Sequence, residues 1–102
     1  MASRLNLHEE FCTLLGTRNV YFNPPESVKL KYPCIVYARD GVYKHNADDS
    51  MYKSKNRYTV TIIDEDPDSN LADLILQRYP MCAFDRSFVS GNLCHNVLTL
   101  YY

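Results

Sequence analysis

The feature that most constrains the fold is residues 57–80, RYTVTIIDEDPDSNLADLILQRYP, whose pattern predicts a strand, a turn and a helix. The first part alternates and is rich in β-branched residues, as a pleated strand favours. In the second part Leu71, Leu74, Ile75 and Tyr79 recur at helical spacing, and a proline follows them. Because the strand has an apolar face and the helix an apolar stripe, we expect the two to be buried together at the centre of the fold.

An acidic turn, Asp64-Glu65-Asp66-Pro67, separates this strand from the helix. A carboxylate at the N-cap can accept hydrogen bonds from the free amides of the first helical turn, and proline suits the first helical position. We therefore predict that Asp66 is the helix cap. With Asp68 the turn also suggests a metal site, but the central glycine and the twelfth-position glutamate of an EF-hand are missing. Capping and solvation of the turn is the favoured interpretation, and no metal ligand is assigned.

The rest of the chain divides into elements of the same kinds. Residues 7–15 predict a helix, with Asn6 and Glu9 at capping-box spacing and Glu10 on the solvated side. Strands are predicted over residues 20–22, 33–43, 58–63, 81–89 and 93–102, and the second helix over residues 67–79. The sequence therefore predicts one α+β domain over residues 1–102, with a mostly antiparallel sheet of four to five strands and two helices packed on one face, in the order α-β-β-β-α-β-β.

The most polar segment is residues 43–56, YKHNADDSMYKSKN, which we predict to be a long loop. Loops of this length are usually functional or mobile. Its lysines alternate with tyrosines, which also resembles a weak nucleic-acid-binding patch, and the bland alternative is a solvated loop. The candidate interface or channel residues in it are Lys44, His45, Tyr52, Lys53 and Lys55.

The sequence contains no catalytic or cofactor-binding motif. The three histidines are scattered, and no P-loop, nucleophile elbow or glycine-rich dinucleotide turn is present. Asp85 and Arg86 are neighbours on a predicted strand, so we expect them to point to opposite faces and not to pair. We therefore predict a protein that is not an enzyme and needs no cofactor.

No C-x-x-C pair occurs, and we expect four reduced, buried thiols at Cys12, Cys34, Cys82 and Cys94.

Charge and hydropathy narrow the cellular setting. The formal net charge of −1 argues against a strongly basic nucleic-acid binder, although a local basic patch remains compatible with it. No apolar run approaches the roughly 20 residues of a membrane span. The N-terminus lacks the apolar core of a signal peptide, so the expected compartment is the cytoplasm.

Seven segments after the N-terminal helix carry a resemblance to a known family. They are VYFNPP (20–25), KYPCIVY (31–37), YTVTIID (58–64), DPDS (66–69), CAFDR (82–86), NL (92–93) and LTLYY (98–102). Together they resemble the small tail-terminator or tail-completion proteins of tailed bacteriophages, which lie in the neck region of the virion. The resemblance covers nearly the whole chain and consists of strand ends and turns.

The resemblance implies a structural protein that forms a ring, commonly a hexamer, and closes the tail tube once the tube is full length. The implied partners are other copies of the chain, the tail tube protein, the head-completion or neck proteins and, non-specifically, the DNA in the channel. No membrane partner is implied, and the protein would be assembled in the host cytoplasm and end at the head-tail junction. Each subunit of a closed ring uses two different surfaces. We expect the 43–56 loop to line the channel or to contact the tube.

Two alternatives stay open at this point. The first is a head-completion or neck connector protein on the head side of the same joint. The second belongs to another class: a small nucleic-acid-binding or metal-dependent nuclease-like domain that uses the acidic turn.

Overall fold

Seven elements of secondary structure build the chain in a computed structural model, which describes residues 4–46 and 52–102. In chain order they are α1 (Arg4–Leu15), β1 (Val20–Phe22), β2 (Cys34–Asn46), β3 (Tyr52–Asp64), α2 (Leu71–Arg78), β4 (Cys82–Ser90) and β5 (Leu93–Tyr101). The element order and the α+β class predicted from the sequence are confirmed.

The five strands form one mixed sheet in the order β1-β2-β3-β5-β4. The short β1 pairs with β2 in parallel, and the other three pairings are antiparallel. β5 lies between β3 and β4, so the final strand is inside the sheet. The two edges of the sheet are the short β1 and the nine-residue β4.

The core lies between one face of the sheet and the two helices. Strand register places Tyr37 opposite Val60 and Val60 opposite Leu98, which builds one continuous apolar row across three strands. α1 and α2 cover this row with fully buried side chains, each worth roughly 1.5–3 kcal/mol of burial free energy. The largest fully buried side chains are Tyr37, Tyr58, Phe11, Leu7, Ile35, Ile62, Ile75, Leu98, Leu100, Val60 and Cys34. The expected joint burial of the 58–63 strand and the second helix is confirmed.

Tyr37 joins the core to its polar rim. Its ring lies 5.3 Å from that of Phe11, 5.0 Å from that of Phe22 and 5.9 Å from that of Tyr58. Arg4 Nη1 donates to the Tyr37 hydroxyl oxygen at 3.2 Å, and the hydroxyl lies 2.8 Å from His8 Nδ1. Burial, followed by the Arg4 charge, lowers the pKa of His8.

The start of α1 differs from the prediction. The helix begins at Arg4, so Asn6 lies within it and the predicted capping box with Glu9 is wrong. Glu9 instead pairs with Arg18 at 2.8 Å, beyond the far end of the helix. Residues at capping-box spacing also occur by chance inside amphipathic helices. Here the Glu9 side chain, which a capping box would need, forms the ion pair with Arg18.

The start of α2 differs for a different reason. Asn70 occupies the N-cap position without a side-chain cap bond, so the prediction of Asp66 as the helix cap is wrong. Asp66 Oδ1 accepts a hydrogen bond from the Asp68 amide at 2.9 Å, and Asp64 Oδ1 accepts one from the Asp66 amide at 3.0 Å. Aspartates often bond the backbone two residues on, which stabilises a turn in place of a helix. Two successive turns of this kind delay the helix until Leu71.

Candidate assembly surfaces

A two-stranded arm extends from one end of the sheet. β2 and β3 continue to pair from Val42 opposite Asn56 to Asn46 opposite Tyr52, and we call residues 42–46 and 52–56 the arm. β1 pairs with β2 only as far as Tyr37. At the base of the arm, Asn56 and Tyr102 exchange two backbone hydrogen bonds of 3.1 and 3.0 Å.

The prediction of a long loop over residues 43–56 is therefore wrong for most of its length. Residues 47–51 lie outside the described part of the chain, and the remainder is strand. A ribbon that leaves the body of the sheet has no face buried against a helix. Its sequence therefore lacks the apolar alternation by which strands are usually predicted.

All five candidate interface residues lie on the arm. Register places Lys44 opposite Ser54, His45 opposite Lys53, Asn46 opposite Tyr52 and Tyr43 opposite Lys55. The strands thus bring Lys44, His45, Tyr52, Lys53 and Lys55 onto one projecting element. Their role in an interface stays a prediction.

A polar clamp fixes the base of the arm. Register shifts between Arg39 and Gly41, which leaves Asp40 in a bulge. Arg57 Nε donates to Asp40 Oδ1 at 2.8 Å, and the Thr59 hydroxyl donates to the other carboxylate oxygen. These bonds from Thr59 and Arg57 hold the pKa of Asp40 below its ordinary value. The guanidinium also lies across Gly41, where an added Cβ would be 2.9 Å from Arg57 Nη2. The bulge and the clamp together set the direction in which the arm leaves the sheet.

The arm contributes to an elongated molecule. The principal extents are 50 × 26 × 22 Å. β3 has 13 residues, and a strand of that length spans about 40 Å at 3.3 Å per residue. β3 therefore runs along most of the long axis, with the arm at its first end and the acidic turn at its second.

β4 is an edge strand with unusually exposed apolar side chains. Phe84 is 50% exposed, Phe88 43% and Val89 70%. Within the described residues β4 pairs with β5 on one side and with no strand on the other. Phe88 lies opposite His95, and the two rings stack at 4.6 Å, on the face of the sheet without helices. A long apolar edge of this kind favours pairing with another chain.

A bulge interrupts the middle of β4 and corrects one expectation. Register shifts between Phe84 and Arg86, so Asp85 is extra in the ladder. Arg86 Nη1 then lies 3.3 Å from Asp85 Oδ2, and the prediction that these neighbours do not pair is wrong. Strict alternation of side chains fails at a bulge, and nothing in the local sequence marks this one.

The acidic turn lies at the end of the sheet away from the arm. Glu65, Asp66 and Asp68 are exposed and Asp64 is half-buried. The ion pairs formed by the described residues involve none of these four carboxylates. Among the described residues, no group of three or more His, Cys, Asp or Glu side chains is placed to hold a metal ion.

One polar junction was missed by sequence reasoning altogether. Glu10, expected on the solvated side of α1, accepts hydrogen bonds from Arg78 Nη2 at 3.0 Å and from the Tyr79 hydroxyl at 2.9 Å. Its other oxygen accepts from the Tyr102 hydroxyl at 2.6 Å. Burial, followed by the bond to Glu10, raises the pKa of Tyr102 to about 12 and raises that of Tyr79 still further. This junction ties α1 to α2 and to the end of β5.

The cysteines are all free thiols, with Cys12 and Cys34 buried and Cys82 and Cys94 half-buried. The expectation of reduced thiols agrees with this, and the expectation of full burial holds for two of the four. Burial raises the pKa of Cys34 to about 11, so its thiol is protonated at neutral pH.

A comparison with protein-family models finds no match, and a comparison with curated proteins finds none either. The fold therefore defines the class: an α+β protein with a five-stranded mixed sheet, two helices on one face and a projecting arm. No helix in the described part of the chain is long and apolar enough to cross a membrane.

Proposed function

We propose that this chain is a structural virion protein: a tail terminator that caps the end of a phage tail tube as a ring and joins the tube to the neck proteins. The observation that carries the proposal is the presence of two unlike, unpaired surfaces on one small domain. These are the arm and the apolar β4 edge. A closed ring needs two different contact surfaces on every subunit.

Local features support an assembly role over a small-molecule site. A depression of about 250 Å³ beside α1 is lined by Glu9, Glu10, Thr13, Leu14 and Arg78. It is open to solvent, whereas ligand pockets usually bury most of the surface of a bound ligand. On this proposal the chain takes no cofactor and catalyses no reaction.

The ring, a hexamer in this proposal, places each arm towards the channel or the tube. The partners are then other copies of the chain, the tail tube protein and the head-completion proteins. Arm lysines outside the contacts between subunits would contact the phosphates of DNA passing through the channel, without sequence preference. The protein would be assembled in the host cytoplasm and would remain at the head-tail junction.

Electron microscopy of antibody-labelled virions tests the location. We expect label at the end of the tail nearest the head, and on separated tails but not on separated heads. Label on separated heads alone would replace this proposal with a head-completion or neck connector protein. Absence of the protein from particles would contradict both readings.

The nuclease-like alternative has a test of its own. It requires Asp64 and Asp66 as metal ligands, whereas each carboxylate already accepts a hydrogen bond from a backbone amide of the same turn. Wild type and the Asp64→Asn/Asp66→Asn variant would be incubated with DNA and Mg²⁺ or Mn²⁺. We expect no cleavage by either protein. Metal-dependent cleavage by wild type that the variant lacks would favour the enzyme.

A further inference from the structure

The two ends of β3 carry opposite charges. In the arm, at the first end, the sequence places Lys44, Lys53 and Lys55 and no carboxylate. At the second end β3 enters the acidic turn. Asp48 and Asp49 belong to the segment outside the described residues, so the positive charge is assigned to the strands of the arm alone.

The acidic turn is part of no ion pair among the described residues, and the same holds for Lys55. Two carboxylates of the turn accept hydrogen bonds from backbone amides, but these bonds do not neutralise the negative charge. A set of like charges without internal partners is available to a partner of the opposite sign.

Exposed apolar side chains accompany both charged sets. Val42, in the arm, is 54% exposed. At the other end, Val89 lies opposite Cys94, and Cys94 lies opposite Asp64. Val89 is therefore about 10 Å from the acidic turn, since neighbouring strands are about 4.8 Å apart. Each end thus combines apolar surface with charge of one sign, the arrangement of an interface with an apolar centre and a charged rim.

We propose that the partner is a second copy of this chain, with the arm of one subunit bound to the acidic end of the next. The acidic end consists of Asp64, Glu65, Asp66, Asp68, Phe88 and Val89. The contact is head-to-tail, so it repeats in one direction and generates a ring if the rotation closes or a filament if it does not. The contact itself stands on charge and exposure, and its closure into a ring rests on the proposed function.

The contact would also support the arm. A two-stranded ribbon is at best marginally stable alone in water, and three or more strands or a packed helix are needed for stability. Among the described residues, the strand segments on the far side of Asn56 from the sheet pair only with each other. A neighbouring subunit would give this ribbon a surface to pack against.

Paired charge reversals test the proposal by sedimentation velocity. The arm variant is Lys53→Glu/Lys55→Glu, and the end variant is Glu65→Lys/Asp68→Lys, whose carboxylates accept none of the turn's hydrogen bonds. We expect wild type to self-associate and each variant alone to associate at least tenfold more weakly. An equimolar mixture of the two variants should assemble again, because each arm then meets an end of opposite charge. Assembly of the mixture also shows that both variants are folded.

The matched control is Lys29→Glu/Lys31→Glu, which makes the same charge change at two exposed lysines that belong to neither the arm nor the acidic end. It should assemble like wild type. Wild-type assembly should weaken between 0.1 and 1 M salt, over which the Debye length falls from about 10 to about 3 Å.

Several results would overturn the proposal. They are a monomeric wild type, reversal variants that assemble like wild type, or a mixture that stays dissociated while each variant melts like wild type. A monomeric wild type would also count against the ring of the proposed function. The other two results leave the antibody label on the virion unchanged, so this inference can fail while the proposed function stands.

Discussion

Removing the carboxylate of Glu10 tests how this small domain holds its helices together. In Glu10→Ala, three hydrogen bonds are lost at once, from Arg78, Tyr79 and Tyr102. Tyr79 is 5% exposed, so its hydroxyl is left without a partner or must recruit a water. A buried donor left unsatisfied costs about 1–3 kcal/mol.

The other two bonds contribute less. Arg78 and Glu10 have side chains that are 54% and 28% exposed, and exposed ion pairs of this kind contribute about 0–1 kcal/mol. Tyr102 is only half-buried, so water replaces its bond at small cost. We therefore expect Glu10→Ala to lower the free energy of unfolding by about 2–3 kcal/mol. For a domain of this size the change corresponds to a fall in Tm of about 10–20 °C.

The matched control is Glu9→Ala, one position earlier on the same helix. Glu9 bonds only Arg18 among the side chains described, in a pair that is 71% and 64% exposed, so its loss should cost less than about 1 kcal/mol. Urea titration followed by circular dichroism gives both free energies. Equal costs for the two variants would refute the assignment of Glu10 as a structural junction.

A double-mutant cycle isolates the buried bond. Tyr79→Phe should cost about 1.5–3 kcal/mol in wild type, through loss of one hydrogen bond to a charged acceptor. In the Glu10→Ala background the same change should cost nothing or stabilise, because it removes an unpaired hydroxyl. Additive effects would show that Tyr79 and Glu10 are not coupled.

Three further predictions follow from the same structure. The pKa of Tyr102 is raised from 10.0 to about 12, so the folded state binds its proton more tightly than the unfolded state does. The free energy of unfolding, measured by urea titration, should therefore fall as pH rises from about 10 to 12. A free energy that stays constant over this range would contradict the prediction. Asn70→Ala should cost less than about 0.5 kcal/mol in a urea titration, against about 1 kcal/mol for loss of a bonded N-cap, and a full-size loss would show that Asn70 is a bonded cap. Gly41→Ala should displace the Arg57 guanidinium from the arm base and lower Tm by a few degrees in a thermal melt, and an unchanged Tm would show that the clamp adapts freely.

The parts of the fold that follow from burial could be predicted from the sequence. Tyr58, Val60 and Ile62 alternate because one face of β3 is covered by helices, and Ile75 fits helical spacing because it faces the same core. Each of these residues is buried in the core, and burial on one face produces the local sequence pattern directly. The element order and the fold class follow from such patterns.

Features that depend on competing local interactions, or on contacts between residues far apart in sequence, could not be predicted. Both Asp66 and Asn70 are acceptable N-caps, and the choice depends on the side chain-to-backbone turns that precede the helix. The arm sequence does not alternate apolar and polar residues regularly, so its strands resemble a loop in sequence. Glu10 and Tyr102 are 92 positions apart, and no local pattern can pair them.

The residues of the candidate site were predicted from the sequence, but their secondary structure was not. The sequence draws attention to Lys53 and its neighbours through composition, and the structure places them on a pair of strands. The complementary surface at Val89 was missed, because an exposed edge strand has the same local pattern as a buried one. Only the strand order shows that β4 has a neighbour on one side alone.

The position of β5 has a consequence for synthesis on the ribosome. β5 lies between β3 and β4 in the sheet but follows both in the chain. β3 and β4 therefore cannot join the same sheet until residues 93–101 have been made. During translation β4 has no strand to pair with, and its exposed phenylalanines are available to other nascent chains. We expect folding of this domain to wait for the synthesis of β5, with a need for chaperone protection that ends when β5 inserts.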